Sequence, residues 1–227
     1  MIPYAYKDHE LFKHLECTAN KALDTLNRLG YNVICNRFRK LGLEMDCKEL
    51  EQIVRLSALL HDIGKAADKY QNNPKLDDFS LHEVPSAVIA KRTLEDNNIR
   101  EEYKDLIVIT VLQHMNSMRD WVSSNRDIMN RRWLFNKFSE QILKFLNDKN
   151  IVKGEINLDV NSNDASKLIK EYQDKSRSND KPWLKLYNLI LASITVGDNL
   201  DAYETRKDNL SKSRRWFVEE LMRLEEY

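Results

Sequence analysis

The stretch LSALLHDIGKAADKYQ, residues 56–71, is an apolar run that ends in His61 and Asp62 and then meets Gly64 and Lys65. An ionisable pair at the end of a buried segment costs free energy unless it is paired or binds a metal. Imidazole nitrogen together with carboxylate oxygen suits a borderline or hard divalent ion, and an aspartate can bridge two ions. Three further histidines border apolar segments. His14 lies on or beside the inner face of the first helix, His82 directly precedes Glu83-Val84-Pro85, and His114 ends DLIVITVLQH. Asp198 falls within LYNLILASITVGDNLDAY, a segment apolar nearly all round its axis, where an unpaired charge is disfavoured. Taken singly, each has a plainer reading as a cap or a hydrogen-bonded core residue, and a His-Asp dipeptide alone is a weak motif. As a set they point to one shared metal centre. His9 precedes the apolar face of the first helix and is expected to be exposed.

Helices must bring these residues together. Leu11, Leu15, Ala19, Ala22, Leu26 and Leu29 recur at helical spacing, so a helix is expected over about 9–29, ended by Gly30. The following segment, YNVICNRFRKLGLEMD, is less regular. A central helix is expected over about 47–63, with Gly64 as a left-handed C-terminal cap. Others are expected from Val84-Pro85 to about Glu95, through DLIVITVLQH, from Pro182 through Asp198, and over about 208–224. Residues 119–180 are richer in charge and asparagine and read as an insertion into a single domain spanning 1–227. The insertion is expected to hold helices near 131–147 and 164–176. The alternation of Ile156, Leu158 and Val160 is the one strand signal worth naming.

Composition narrows the classes. Five glycines and four prolines in 227 residues favour long helices over many tight turns, giving an all-α expectation with at most a minor β element. Lys plus Arg and Asp plus Glu number 36 each, so no global field steers a polyanion and any nucleic-acid surface must be a local patch. Three cysteines without CxxC spacing read as reduced thiols. MIPYAYKDHE has no signal-peptide core, and no uncharged run approaches the ~20 residues of a membrane span, so a cytoplasmic protein without a membrane partner is expected.

In their order along the chain, LFKHLECTA, ALLHDIGKAADKYQ, LHEVPSA, VLQHMNSMR and VGDNLDA resemble the HD superfamily of metal-dependent phosphohydrolases. More narrowly they resemble the HD nuclease of type I CRISPR systems, in the form that stands alone beside a separate helicase. The resemblance spans most of the chain outside 119–180. It implies a helical HD fold in which His14, His61, Asp62 and Asp198 match a first metal site. His82 and His114 match ligands of a second, and Lys65 matches an active-site lysine. It also implies one or two divalent ions of the Mn²⁺, Mg²⁺, Ni²⁺ or Co²⁺ class. Catalysis would rest on Asp62 and Lys65, the substrate would be single-stranded DNA or RNA, and the partners would be a CRISPR helicase and an RNA-guided surveillance complex. Where the family commonly has two adjacent histidines, this chain reads His114-Met115. A thioether is a poor ligand for a hard ion, so a loosely held second ion is expected.

Substrate-binding signals are less specific. MRDWVSSNRDIMNRRWLF interleaves Arg119, Arg126, Arg131 and Arg132 with Trp121 and Trp133, and SKSRRWF sets Arg214 and Arg215 beside Trp216. Cations with stackable rings suit single strands, and solvated faces with inward tryptophans fit the same pattern. No GxxxxGK[ST] occurs, so the chain cannot power unwinding through a P-loop. Two other functions remain compatible with the residues: a nucleotide or cyclic-nucleotide phosphohydrolase, and a non-catalytic assembly subunit with a structural metal.

Overall fold

In the computed structural model, residues 2–73, 75–76, 78–95, 97–115, 128–152, 154–206 and 210–224 are described. A small hairpin, β1 (Tyr4–Tyr6) and β2 (His9–Glu10), leads into α1 (Leu11–Leu29), whose face of Leu11, His14, Leu15, Thr18, Ala19, Ala22 and Leu26 is buried. Gly30, at φ +84°, closes α1 and at once starts α2 (Tyr31–Lys40). That helix runs through the segment read as irregular. Only Ile34, Cys35 and Phe38 are buried on it, too few apolar positions to announce a period in sequence.

α3 (Cys47–Leu60) begins with a capping box, Asp46 accepting from the Glu49 amide at 2.8 Å while Glu49 accepts from the Asp46 amide at 2.8 Å. It ends three residues earlier than expected, and a 3₁₀ turn at Ile63–Ala66 and the short α4 (Asp68–Gln71) follow. Gly64 is not a left-handed cap: positive φ among glycines occurs at Gly30, Gly42 and Gly154. Glycine is required there for a different reason. A Cβ at position 64 would collide with the His82 carbonyl oxygen and lie 2.8 Å from both Pro85 Cγ and Ser86 Oγ.

α5 (Glu83–Glu95) and α6 (Glu101–Gln113) are buried on nearly all sides, which is why DLIVITVLQH shows no amphipathic period. The segment from 128 onward contributes β3 (Arg132–Trp133), α7 (Ser139–Asp148), β4 (Val160–Asn161) and α8 (Ser162–Arg177), with β3 and β4 antiparallel. Its Trp133, Phe135, Ile142, Leu146 and Leu168 join the same apolar cluster as α1, α3 and α6. The expected strand shrinks to Val160–Asn161, because the carbonyls of Asn157 and Asp159 are taken by the Arg92 guanidinium at 2.9 and 2.7 Å, not by a neighbouring strand. A 3₁₀ turn at Pro182–Leu186 opens α9 (Tyr187–Arg206), and α10 (Lys212–Leu224) closes the described chain.

α9 packs along α1, and Gly197 makes that approach possible. A Cβ there would stand 2.7 Å from the Thr18 carbonyl oxygen and 2.9 Å from the Ala22 amide nitrogen. Among the described residues, no helix is long and apolar enough to cross a membrane.

Candidate metal centre

Asp62 lies 2 % exposed at the exit of α3, and five groups converge on its carboxylate. Its Oδ2 is 3.0 Å from His14 Nε2, 3.3 Å from His61 Nε2 and 2.5 Å from Lys65 Nζ. Oδ1 is 2.7 Å from His82 Nε2 and 3.2 Å from His114 Nε2. α9 adds Asp198, whose Oδ1 is 3.5 Å from His14 Nε2. All six expected metal-site residues therefore meet, in two groups that share Asp62: His14, His61, Asp62 and Asp198 in one, Asp62, His82 and His114 in the other. Met115, the residue after His114, is half-buried.

Backbone chemistry explains how three of the rings are aimed. His61 and His114 are the residues that close α3 and α6, where the last carbonyls lack an intrahelical partner. Their Nδ1 atoms take those carbonyls, Ala58 at 2.7 Å and Val111 at 2.6 Å, and His82 Nδ1 takes the Phe79 carbonyl at 2.6 Å. A carbonyl only accepts, so in each ring the proton is on Nδ1 and Nε2 faces inward with its lone pair.

Inward lone pairs without donors are the signature of a cation site. His61 Nε2 and Asp62 Oδ1 are buried and have no hydrogen-bond partner among the described residues. His82 Nε2 and His114 Nε2 stand 3.0 Å apart, close enough for both to serve one divalent ion. Protein groups alone leave these atoms repelling one another, and a divalent ion would satisfy them. The residues present fit the metal that the sequence implies.

The charges follow the same design. Burial pushes the Asp62 carboxyl up; the Lys65 ammonium, together with the His61 and His82 rings when these carry a second proton instead of an ion, outweighs it and holds the group well below the usual carboxylate range. Burial also works against an ionised Asp198, and the Arg214 guanidinium, joined by the His14 ring when that is protonated instead of holding an ion, overrides it. Arg214, from α10, grips Asp198 Oδ2 and the Asn199 side-chain oxygen. The Tyr6 hydroxyl, raised well above its ordinary pKa by burial and by Asp198 and Asp62, donates to Asp198 Oδ1 at 3.3 Å. The Lys65 ammonium sits 4.8 Å from the Tyr6 ring centre and 5.3 Å from that of Phe79, and the Arg206 guanidinium carbon sits 3.7 Å from the Tyr6 ring centre.

Of the expected substrate-binding residues, Arg214 joins the centre and Arg215 is half-buried on the same helix, next to Trp216, which is 63 % exposed. Arg131 belongs to the neighbourhood of Lys69, Tyr70 and Asp78, and Arg132 is exposed on β3. Trp133 turns fully inward and donates its indole N–H to the Tyr70 hydroxyl at 3.1 Å. Arg119, Trp121 and Arg126 lie outside the described residues.

His9 is a correction. It is 6 % exposed, because the β1–β2 hairpin folds it over α9, where it bonds Asp201 Oδ2 at 3.0 Å and stacks on Tyr6 with ring centres 5.6 Å apart. Asp201, Tyr6 and Arg206 carry no expectation in the sequence. The available signal for Asp201 was its spacing from Asp198, which puts both carboxylates on one face of α9.

The HD domain family model matches residues 12–202. The CRISPR-associated endonuclease Cas3-HD of Saccharolobus solfataricus is 31 % identical over 231 aligned residues, covering 91 % of this chain and 90 % of the relative. A solved structure, the CRISPR-associated Cas3 HD domain protein of Methanocaldococcus jannaschii, superposes with a TM-score of 0.60. At 18 % identity it covers 86 % of this chain and 97 % of its own and supports the fold.

Proposed function

The chain belongs to the HD-domain family as a metal-dependent nuclease of the CRISPR-associated kind, and from that premise we propose that it cuts single-stranded DNA, or RNA, at the cluster around Asp62. The observation that carries this reading is the convergence of four imidazole Nε2 atoms and one lysine ammonium on a single buried carboxylate. His14, His61, Asp62 and Asp198 would hold one divalent ion, and Asp62, His82 and His114 a second. When bound, such ions lower the pKa of a coordinated water and offset charge on phosphoryl oxygens.

The protein's own groups account for the rest. Asp62 gives one oxygen to each group of histidines and so sets the spacing between them. Lys65, held by Asp62 and flanked by the Tyr6 and Phe79 rings, supplies positive charge where negative charge grows on the phosphodiester in the transition state. Arg214, paired with Asp198, and Arg206, stacked on Tyr6, add positive charge near Asp62 that would suit the flanking phosphates of a strand. With no P-loop in the sequence, strand opening would come from a separate helicase, delivered to the target by an RNA-guided complex.

The test is a metal screen of the purified protein with labelled single-stranded DNA, single-stranded RNA, duplex and free nucleotides side by side. Cleavage of single strands with Mn²⁺ or a similar ion is expected, with loss on chelation and in Asp62→Ala. Hydrolysis of free nucleotides with every polynucleotide left intact would overturn the reading.

A further inference from the structure

His61, His82 and His114 borrow free backbone carbonyls to fix their rings, and His14 has none to borrow. It lies in the first turn of α1, where the unsatisfied backbone groups are amide donors and the carbonyls already accept within the helix. An acceptor for its Nδ1–H has to come from a side chain. Asp201, one turn beyond Asp198 on α9, puts Oδ2 at 2.6 Å from that nitrogen, closer than the Tyr6 hydroxyl oxygen at 3.1 Å, and a carboxylate is the stronger acceptor. The same Oδ2 is 3.0 Å from His9 Nε2, so the hairpin and α9 hold the acceptor from two sides. His14 is 0 %, Asp201 1 % and His9 6 % exposed, so the contact is shielded from bulk solvent.

We propose that Asp201, steadied by His9, is the positioning residue that keeps the proton of His14 on Nδ1 and so leaves its Nε2 lone pair free for the ion that His14 would share with His61, Asp62 and Asp198. A carboxylate behind a ligating imidazole fixes the tautomer and raises the basicity of the ligand nitrogen. The first group of ligands would then depend on a carboxylate in its outer layer, whereas the second relies on backbone alone.

The proposal rests on the metal centre described under the proposed function, and the experiment separates the two. Zinc is titrated by calorimetry into the wild type, His82→Ala/His114→Ala and the same double variant carrying Asp201→Asn, an isosteric change chosen to preserve packing. Zinc affinity in the double variant, which retains the first group, should fall about 10–100-fold on Asp201→Asn. When His14→Gln is also present, Asp201→Asn should change affinity less than twofold, because the residue acts only through that ring. In the zinc-loaded wild type, ¹⁵N-resolved spectra should show a strongly deshielded His14 Nδ1–H, and this signal should be lost in Asp201→Asn.

Equal affinity with and without Asp201→Asn, or an equal effect of that change when His14 is Gln, overturns the proposal while leaving the metal centre intact. No zinc binding by the wild type overturns both. His9→Gln should keep the zinc stoichiometry of the wild type. Loss of one equivalent in that variant would mean that His9, His14 and Asp201 hold an ion of their own, and would also overturn the proposal.

Discussion

Replacing Gly64 by alanine asks whether the two halves of the metal centre are held together by backbone contact. A Cβ at position 64 would drive into the His82 carbonyl and lie 2.8 Å from Pro85 Cγ and Ser86 Oγ, where ordinary contact begins at 3.4 Å. The start of α5 must therefore retreat from the His61-Asp62 turn by roughly 0.6 Å or more. His82 rides on that segment, and its Nε2 is 2.7 Å from Asp62 Oδ1. Overpacking of this kind costs about 1–3 kcal/mol, which for a chain of this size lowers the melting temperature by roughly 2–12 °C. Thermal unfolding and zinc titration are the assays. The expected result is a lower melting temperature with weakened binding at the group containing His82 and His114. Gly197→Ala is the counterpart for the other group, since its Cβ would press on the Thr18 carbonyl at 2.7 Å and lever α1 from α9. Alanine gains up to about 1 kcal/mol of helix propensity there, and the clash should still exceed it. Wild-type melting and zinc binding in Gly64→Ala would refute the argument that close backbone approach sets the site.

Lys65→Met should keep zinc stoichiometry while slowing strand cleavage by about 10²–10³-fold, as expected for loss of one charge-stabilising group; loss of zinc binding as well would show a role in building the site. Met115→His adds an imidazole next to His114, and calorimetry should find the weaker zinc site tightened, whereas unchanged binding with a lower melting temperature would mean that position 115 faces away. Asp105, 0 % exposed, accepts from Lys175 at 2.6 Å, Lys181 at 2.8 Å and the Tyr172 hydroxyl at 3.1 Å, tying α8 and the turn before α9 to α6. Burial raises its pKa, but the two lysines hold it below the ordinary carboxylate value. A depressed folded-state pKa means stability that is complete above the unfolded value of about 3.9 and lost as pH falls through the folded value. Asp105→Asn should cost roughly 1–3 kcal/mol at pH 7, and denaturant unfolding should find the gap to wild type closing in acid; a constant gap across pH would refute the assignment.

What sequence alone determined were the long helices and the identity of six residues brought together at the centre. His14, His61, His82, His114, Asp62 and Asp198 could be named because ionisable groups in or beside apolar helices have few explanations, and their shared explanation was a metal. Long periodic segments such as α1 and α3 declare themselves because burial repeats at 3.6 residues. α2, with three buried positions, and the two-residue strands do not. Proximity in space decided what remained. Asp201 and His9 look like surface residues until α1, α9 and the hairpin close on one another, because a hydrogen bond between residues 187 or 192 positions apart leaves no local pattern. Gly64 reads locally as a cap, and only the docking of α5 reveals that its missing side chain makes room for the carbonyl of His82. Residue type and period are properties of the chain, but tautomer, charge and close approach belong to neighbours that only the folded structure supplies.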